Sequence, residues 1–349
     1  MQVIFDLTTI KTPTAIALGN FDGIHRGHHL VIASALAKSD PHAHSTLVTF
    51  HPHPRQFFSG AAHNLLTPLP EKIAYLESLG LEQIVLFPFN HKLAALTPAE
   101  FVAEILVKQL QAIQVSVGAN FHFGCDRSGN AQDLERLANH HSIHTKIIPL
   151  QNLTIPPDLE PNLSSSHPNH EYPRISSSSI RHHLALGQIR TANLLLGRAY
   201  SLQGNVIKGK QIGRTIGFPT ANLDISPDKF LPKYGVYAVV VLLGEQRLPG
   251  VMNVGLRPTI KPDGSEEKIP SVEVHLLDWQ GDLYGATLTI ELIEFLRPEQ
   301  KFPDLDALKS QITKDAEAAR AIKSSPHPPA PSPTRDFRRK TSRRVGEQN

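Results

Sequence analysis

The chain is poor in cysteine. Cys125 stands alone among 349 residues, so neither an intrachain disulfide nor a cysteine-rich zinc site can form. That usage suits a reducing compartment, and a cytoplasmic protein is expected. No apolar run reaches the roughly 18 residues a membrane-spanning helix needs. The N-terminal MQVIFDLTTIKTPTAIALGNF has no basic stretch leading into an apolar one, so no signal peptide is expected. Strong charge is missing too. The formal net charge is +3, but residues 321–349 hold seven Lys/Arg against two acids, a net of +5, which leaves −2 on residues 1–320. The body of the chain therefore has no basic footprint for nucleic acid, and neither nucleic acid nor membrane is an expected partner.

What is present is patterning of two kinds. Residues 14–118 alternate short apolar runs with amphipathic ones: strands at TAIALGNF (14–21), STLVTF (45–50), EQIVLFPF (82–89) and AIQVSVG (112–118), and helices over 28–39, 70–80 and 98–110. Such alternation implies a Rossmann-like α/β domain, a parallel sheet covered on both faces. Residues 151–173 are rich in Pro, Ser and Asn without periodicity and read as a long mobile surface loop. Helices follow over 176–187 and 190–197. After Gly197 come strand-like segments separated only by turns (YSLQGNVIKG, GVYAVVVLLG, RLPGVMNVG, SVEVHLLDW, ATLTIELIEFL), the pattern of an antiparallel β-barrel, and then a helix over 304–322. The expected division is 1–186, 187–323 and a Pro/Ser/Arg-rich tail, 324–349, that cannot build a core and should be disordered.

Two segments carry chemistry. The first is Gly19-Asn-Phe-Asp-Gly-Ile-His-Arg-Gly-His28, between a strand and a helix. Glycines allow the chain to turn and approach a ligand closely, and a helix start presents N–H groups to phosphate. His25 and His28, near one another at that start, can both address one phosphate. A nucleotidyl transfer needs that and little more, because the incoming phosphate is the nucleophile and the protein supplies position and charge stabilisation. Later serines, Ser176 to Ser179, precede Arg181 at a helix start, and they read as a simple cap or as a second phosphate contact. His51 and His53 of HPHP read as a polar turn rather than a metal site. Phe57, Phe58, Phe121 and Phe123 are either rings available to stack on a planar ligand or plain core.

The second segment runs from Gly204 through Gly209, Gly213 and Gly217 into Pro219-Thr220-Ala221-Asn222. Thr220 and Asn222 offer neutral oxygens two residues apart, suited to a hard cation shared with phosphates. Glu273, in SVEVHLL, is a lone carboxylate among apolar neighbours, either an outward-facing residue or a general base.

With its accompanying segments VTFHPHPRQFF, LTPLPEKIAYLESLG, VGANFHFGCDRSG and RISSSSIR, GNFDGIHRGH resembles the bacterial riboflavin kinase/FAD synthetase family. GFPTANL, YGVYA, GVMNVGLRPT, SVEVHLLDWQGDLYG and FLRPEQKF extend that likeness across nearly all of residues 14–320. The resemblance implies a bifunctional transferase that phosphorylates riboflavin to FMN and adenylylates FMN to FAD with ATP and Mg²⁺. It implies that His25 and His28 are catalytic, that Gly19, Phe21, Asp22, Gly27, Asn120, Ser176, Ser177, Ser178 and Arg181 bind one ATP, and that Gly209, Gly213, Gly217, Pro219, Thr220 and Asn222 bind the other. Thr220 and Asn222 would be the Mg²⁺ contacts and Glu273 the base. The chain departs from the family at Ser178, where threonine is common, at Asn120, where aspartate is frequent, at Gln280, where an acid is common, and in its longer loop before Arg174. The competing readings are a kinase whose first half only binds nucleotide, and a regulator acting through the basic tail. A monomer or weak homo-oligomer is expected.

Overall fold

The computed structural model describes residues 1–60, 63–153, 174–209, 213, 216–260 and 266–322. By contacts these fall into two units, the first holding residues up to 153 with 174–176, the second running from Ser177. The grouping changes at 176/177, whereas the boundary between activities expected from the sequence lies at 186/187. Most of the expected surface loop (154–173) and the whole of the tail (324–349) lie outside the described residues.

The first unit opens with β1 (Gln2–Ile4), β2 (Thr14–Leu18), α1 (Arg26–Leu36), β3 (His44–His51), α2 (Pro54–Ser59), α3 (Leu69–Ser78) and β4 (Gln83–Pro88). It continues through α4 (His91–Ala94), α5 (Pro98–Glu100), β5 (Ala112–Gly118), β6 (His122–Phe123), β7 (Gly129–Asn130), α6 (Ala131–Asn139) and β8 (His144–Ile148). Six strands form one parallel sheet in the order β1-β4-β3-β2-β5-β8. Every residue of β2 is buried, as a strand covered on both faces requires. Ile16 and Leu18 join one core with Phe101, Val102 and Leu134, while Ala17 joins the other with Val31, Ile32 and Leu76. From β2 the chain builds outward in one direction, through β3 and β4, and then returns to build the other way through β5 and β8. The crevice beyond the C-terminal ends of β2 and β5 is thus a topological switch point, the usual ligand position in such sheets.

The helix expected over 98–110 begins as read, with Pro98 in its first turn and a capping box between Thr97 and Glu100. It then widens into a π-helical stretch, Phe101–Gln109, where Leu110 N–H donates five residues back to Ile105 O at 2.9 Å. β1, α6 and β8 are absent from the sequence-based expectations.

The second unit begins with α7 (Ser177–Leu186) and α8 (Ile189–Leu196). β9 (Tyr200–Ile207), β10 (Ala221–Ile225), β11 (Gly235–Leu243), β12 (Gln246–Ile260), β13 (Glu266–Leu276) and β14 (Thr287–Arg297) then close into an antiparallel barrel in the order β10-β13-β12-β11-β14-β9. Alternation fills it: Tyr200, Leu202 and Val206 of β9 and Leu288, Ile290 and Leu292 of β14 are buried between less buried neighbours. Closure leaves the barrel no free edge. The terminal helix α9 (Leu305–Ala321) packs Ala316 and Ala319 against Val236, Ala238 and Val251. Arg297 holds it by gripping Asp315 through Nε at 3.1 Å and Nη2 at 2.8 Å.

Candidate active sites

In the first unit the loop after β2 is bent into the left-handed region at three of four consecutive residues: Phe21 (φ 48°), Gly23 (φ 87°) and Ile24 (φ 41°). A β-branched isoleucine rarely adopts such a backbone, and strain of this kind persists only when the surroundings enforce it. They do so here. Gly19 N–H donates to Val48 O at 3.1 Å. The Asn20 carbonyl accepts from Thr49 Oγ1 at 3.1 Å and from the buried Lys72 Nζ at 3.0 Å. Asp22, only 3% exposed, accepts the Thr67 N–H at 3.2 Å. Burial pushes the Lys72 pKa down and the Asp22 carboxylate partly opposes that shift.

The turn delivers two histidines to the start of α1. His25 is the N-cap, and its Nδ1 accepts the His28 N–H at 3.3 Å. With Nδ1 so used, a neutral His25 carries its proton on Nε2, a donor suited to phosphate oxygen. The His28 ring stacks on His25 with centroids 3.6 Å apart, and Phe21 meets His28 edge-on at 5.2 Å. A Cβ at Gly27 would come within 3.3 Å of the His25 ring, and one at Gly19 within 3.4 Å of the Phe21 ring. The structure thus brings Gly19, Phe21, Asp22, His25, Gly27 and His28 together. α1 is fixed over the sheet by buried polar contacts: Ser116 Oγ donates to Ser34 Oγ at 2.8 Å, and Gln114 Nε2 to Ser34 O at 2.7 Å. Asn120 follows β5, which neighbours β2, and so lies at the same edge of the sheet. Ser176 ends the segment that Ile175 N–H joins to Gln151 O. Ser177, Ser178 and Arg181 belong to α7 in the second unit, where the Arg181 guanidinium lies over the Phe230 ring at 5.8 Å.

His53 caps α2, accepting the Arg55 N–H at 3.2 Å. Among the described residues no cluster of three or more His, Cys, Asp or Glu side chains is placed to hold a metal ion. Phe57 and Phe58 form an aromatic group with Phe89, and Phe121 stacks on Phe123.

In the second unit Asn222 of β10 pairs in register with Glu273 of β13, and Glu273 pairs on its other side with Asn253 of β12. Val272 and Val274 point into the barrel, so alternation turns Glu273 and His275 outward. The segment 216–220 lies over this outer face: His275 Nδ1 contacts Pro219 O at 2.8 Å, and the Phe218 ring meets His275 edge-on at 5.6 Å. Its turn closes where Phe218 N–H donates to Gly213 O at 2.8 Å, and a Cβ at Gly213 would stand 2.3 Å from Phe218 O. Gly209 packs so closely on Asn222 that a Cβ there would lie 2.2 Å from its amide nitrogen. Gly217 takes φ 88°. Gly209, Gly213, Gly217, Pro219, Thr220, Asn222 and Glu273 therefore line one face. Arg257 shares it, as described below, and carries no signal in the sequence that points to the site. Lys72 is the other addition, visible in the sequence only as a lysine in an amphipathic helix.

Two family models match the chain, riboflavin kinase over residues 196–323 and FAD synthetase over residues 7–155. The similar curated proteins are called bifunctional riboflavin kinase/FMN adenylyltransferase. That of Pseudomonas fluorescens is 37% identical over 306 residues, 87% of this chain and 91% of the relative. Those of Escherichia coli K12 (36%, covering 87% and 91%) and Bacillus subtilis (34%, covering 88% and 92%) are comparable. A solved structure from Streptococcus pneumoniae, described as a macrolide-efflux protein, matches with a TM-score of 0.75 at 28% identity, covering 92% of this chain and 98% of that one. It shares the fold, and no described helix here is long and apolar enough to cross a membrane. The FAD synthetase match leaves the kinase-only reading without support. With both halves matched, and relatives aligned along most of their length, the chain belongs to the bifunctional riboflavin kinase/FMN adenylyltransferase family.

Proposed function

We propose that the two activities occupy separate units, adenylyl transfer at the start of α1 and phosphorylation on the outer face of the barrel. The carrying observation is that each unit holds its own constellation: the stacked His25 and His28 at the sheet's switch point, and the Asn222–Glu273 register pair under a glycine-rich cover.

In the first reaction a phosphate oxygen of FMN attacks the α-phosphorus of ATP and pyrophosphate leaves. His25 and His28 donate to the phosphate oxygens as charge develops, aided by the N-terminal dipole of α1. Gly19, Phe21, Gly27 and Asn120 shape the nucleotide pocket, and Asp22 keeps the loop in its bent form. Ser176, at the end of the first unit, is assigned to the β- and γ-phosphates, where its hydroxyl matches the leaving group. Phe57, Phe58, Phe121 and Phe123 are candidates to flank the flavin ring.

In the second reaction Glu273 takes the proton of the ribityl 5′-hydroxyl as its oxygen attacks the γ-phosphorus of ATP, and ADP leaves. The ladder on both sides fixes the carboxylate's direction. Neutral oxygens on Thr220 and Asn222, beside glycines whose Cβ atoms would fill the same space, suit a hard divalent cation such as Mg²⁺. When bound, the metal neutralises triphosphate charge. Gly209, Gly213, Gly217 and Pro219 let the backbone close around the nucleotide.

Chromatography of purified protein with Mg²⁺-ATP tests this. Riboflavin should yield FMN and then FAD, and FMN alone should yield FAD. FMN accumulating without FAD would refute the assignment of a working site to the first unit.

A further inference from the structure

A third side chain, a charged one, stands over the Asn222–Glu273 pair. Arg257 of β12 reaches across β13, donating from Nη2 to Asn222 Oδ1 at 2.6 Å and lying 3.5 Å from Glu273 Oε1. One guanidinium thus joins the amide oxygen assigned to the metal and the carboxylate assigned as base. Its side chain is 34% exposed, so solvent can replace one of its protein partners. An amide oxygen that accepts from a guanidinium at this distance is poorly placed to bind a divalent cation as well, because the two positive centres would stand a few ångströms apart. Arginine and metal are therefore alternatives at Asn222, and the Nη2 that would leave Asn222 is the one that already faces Glu273.

We propose that Arg257 is a positioning residue of riboflavin phosphorylation: it aligns Asn222 with Glu273 before substrate binds, and it yields Asn222 to the metal–nucleotide while continuing to orient Glu273. The proposal rests on the assignment of Asn222 and Glu273 to the kinase site. It has two consequences of opposite sign. Removing Arg257 frees the Asn222 oxygen, so the metal binds more tightly. The same change releases the Glu273 carboxylate, so turnover falls. A merely structural arginine would weaken both.

The test uses the full chain with Arg257→Met and Arg257→Lys. Mg²⁺ is titrated calorimetrically into ADP-saturated protein, and the component abolished by Asn222→Ala is taken as the kinase site. Arg257→Met should lower the half-saturating Mg²⁺ concentration about tenfold, the loss of one charge-assisted hydrogen bond. Its kcat for FMN formation should fall about 10- to 100-fold with the KM for riboflavin within about twofold, and FAD formation from FMN should be unchanged. Arg257→Lys keeps the charge but loses the fork, so intermediate values are expected. If the methionine variant does not fold, the lysine variant carries the test, and wild-type values there would overturn the proposal. Unchanged or weakened Mg²⁺ binding, or an unchanged kcat, would overturn it as well. Asn222→Ala and Glu273→Gln separate the two failures. If neither affects FMN formation, the site assignment falls and the proposal with it. If both abolish FMN formation while Arg257→Met leaves it and Mg²⁺ binding alone, only the proposal falls.

Discussion

Replacing Lys72 by methionine should separate stability from function. Lys72 is 7% exposed and donates to the Asn20 carbonyl inside the strained loop. Burial depresses its pKa below the ordinary 10.5, against the opposing pull of Asp22. The folded state therefore holds that proton less tightly than the unfolded state does. Charged Lys72 costs stability at neutral pH, and stability rises with pH through the window between the depressed value and 10.5. Methionine has similar length and lifts that cost. Against this, it removes a charge-assisted hydrogen bond worth about 1.5–3 kcal/mol and a nearby positive charge from Asp22, which keeps the Thr67 N–H. The opposing contributions leave a net change within about 2 kcal/mol, or less than about 8 °C in Tm for a unit of this size. Function has no such compensation. Asn20 O keeps only Thr49 from the pair described above, and the turn through Phe21 and Ile24 relaxes. A displacement of about 1 Å at the histidines costs about 10²-fold in rate. FAD formation from FMN should fall by about that factor, and FMN formation from riboflavin should stay within about twofold. Chromatographic rates and melting curves on one preparation decide it. Wild-type FAD formation in the variant, or an equal fall in both activities, would refute the anchoring argument.

Glu273→Gln should cut FMN formation by about 10²- to 10⁴-fold and spare FAD formation from FMN. His28→Ala should do the reverse, with a fall of about 10²- to 10³-fold in FAD formation; equal loss of both activities in either variant would refute the separation of sites. Asp315→Ala leaves Arg297 without its bidentate partner and should destabilise the second unit by about 3–5 kcal/mol, read as a lower melting transition with earlier heat loss of FMN formation than of FAD formation. Glu82→Gln should flatten the acid dependence of unfolding. Burial alone would raise this carboxyl, but hydrogen bonds from Lys38, His44 and the Ser45 N–H outweigh it and hold it at about 2 instead of 4.5. Its contribution is then complete above 4.5 and lost as pH falls towards 2. A stability–pH slope in that window identical to the parent's would show that Glu82 is not its source.

The parallel sheet and the barrel are legible in the sequence because their signals are local. Fully apolar strands such as TAIAL separated by amphipathic helices announce one, and strands joined by turns announce the other. The catalytic segments are legible for the same reason, since GNFDGIHRGH and GFPTAN each lie on one continuous stretch. What supports them is not. Lys72 lies 52 residues from Asn20, and Arg257 lies 35 from Asn222; in the sequence each is an ordinary cation on a helix or strand. Ser34, Gln114 and Ser116 look like polar interruptions, although they join α1 to β5 inside the core. α6 and β8 escaped for another reason. The helix carries few apolar residues, of which Ala131, Leu134 and Ala138 alone are buried, and β8 follows it after a short turn with a polar, half-buried strand.

The two sites are built by opposite means, and this sets where each is vulnerable. The first rests on a backbone that no local preference favours: Phe21 and Ile24 hold left-handed conformations because groups from β3, α3 and the Thr67 segment bind the loop from behind. Its sensitive positions therefore extend well beyond the motif, to residues that never touch substrate. The second rests on regular ladder geometry, in which Asn222, Glu273 and Asn253 lie side by side on adjacent strands. Strand pairing alone sets that row, and its precision depends on register. A single-residue slip would turn Glu273 into the barrel and Val272 or Val274 out of it, burying a carboxylate and exposing an apolar side chain. The same alternation that fills the barrel with valine thus protects the placement of its base, and substitutions within this row should act through charge and contact rather than through backbone strain.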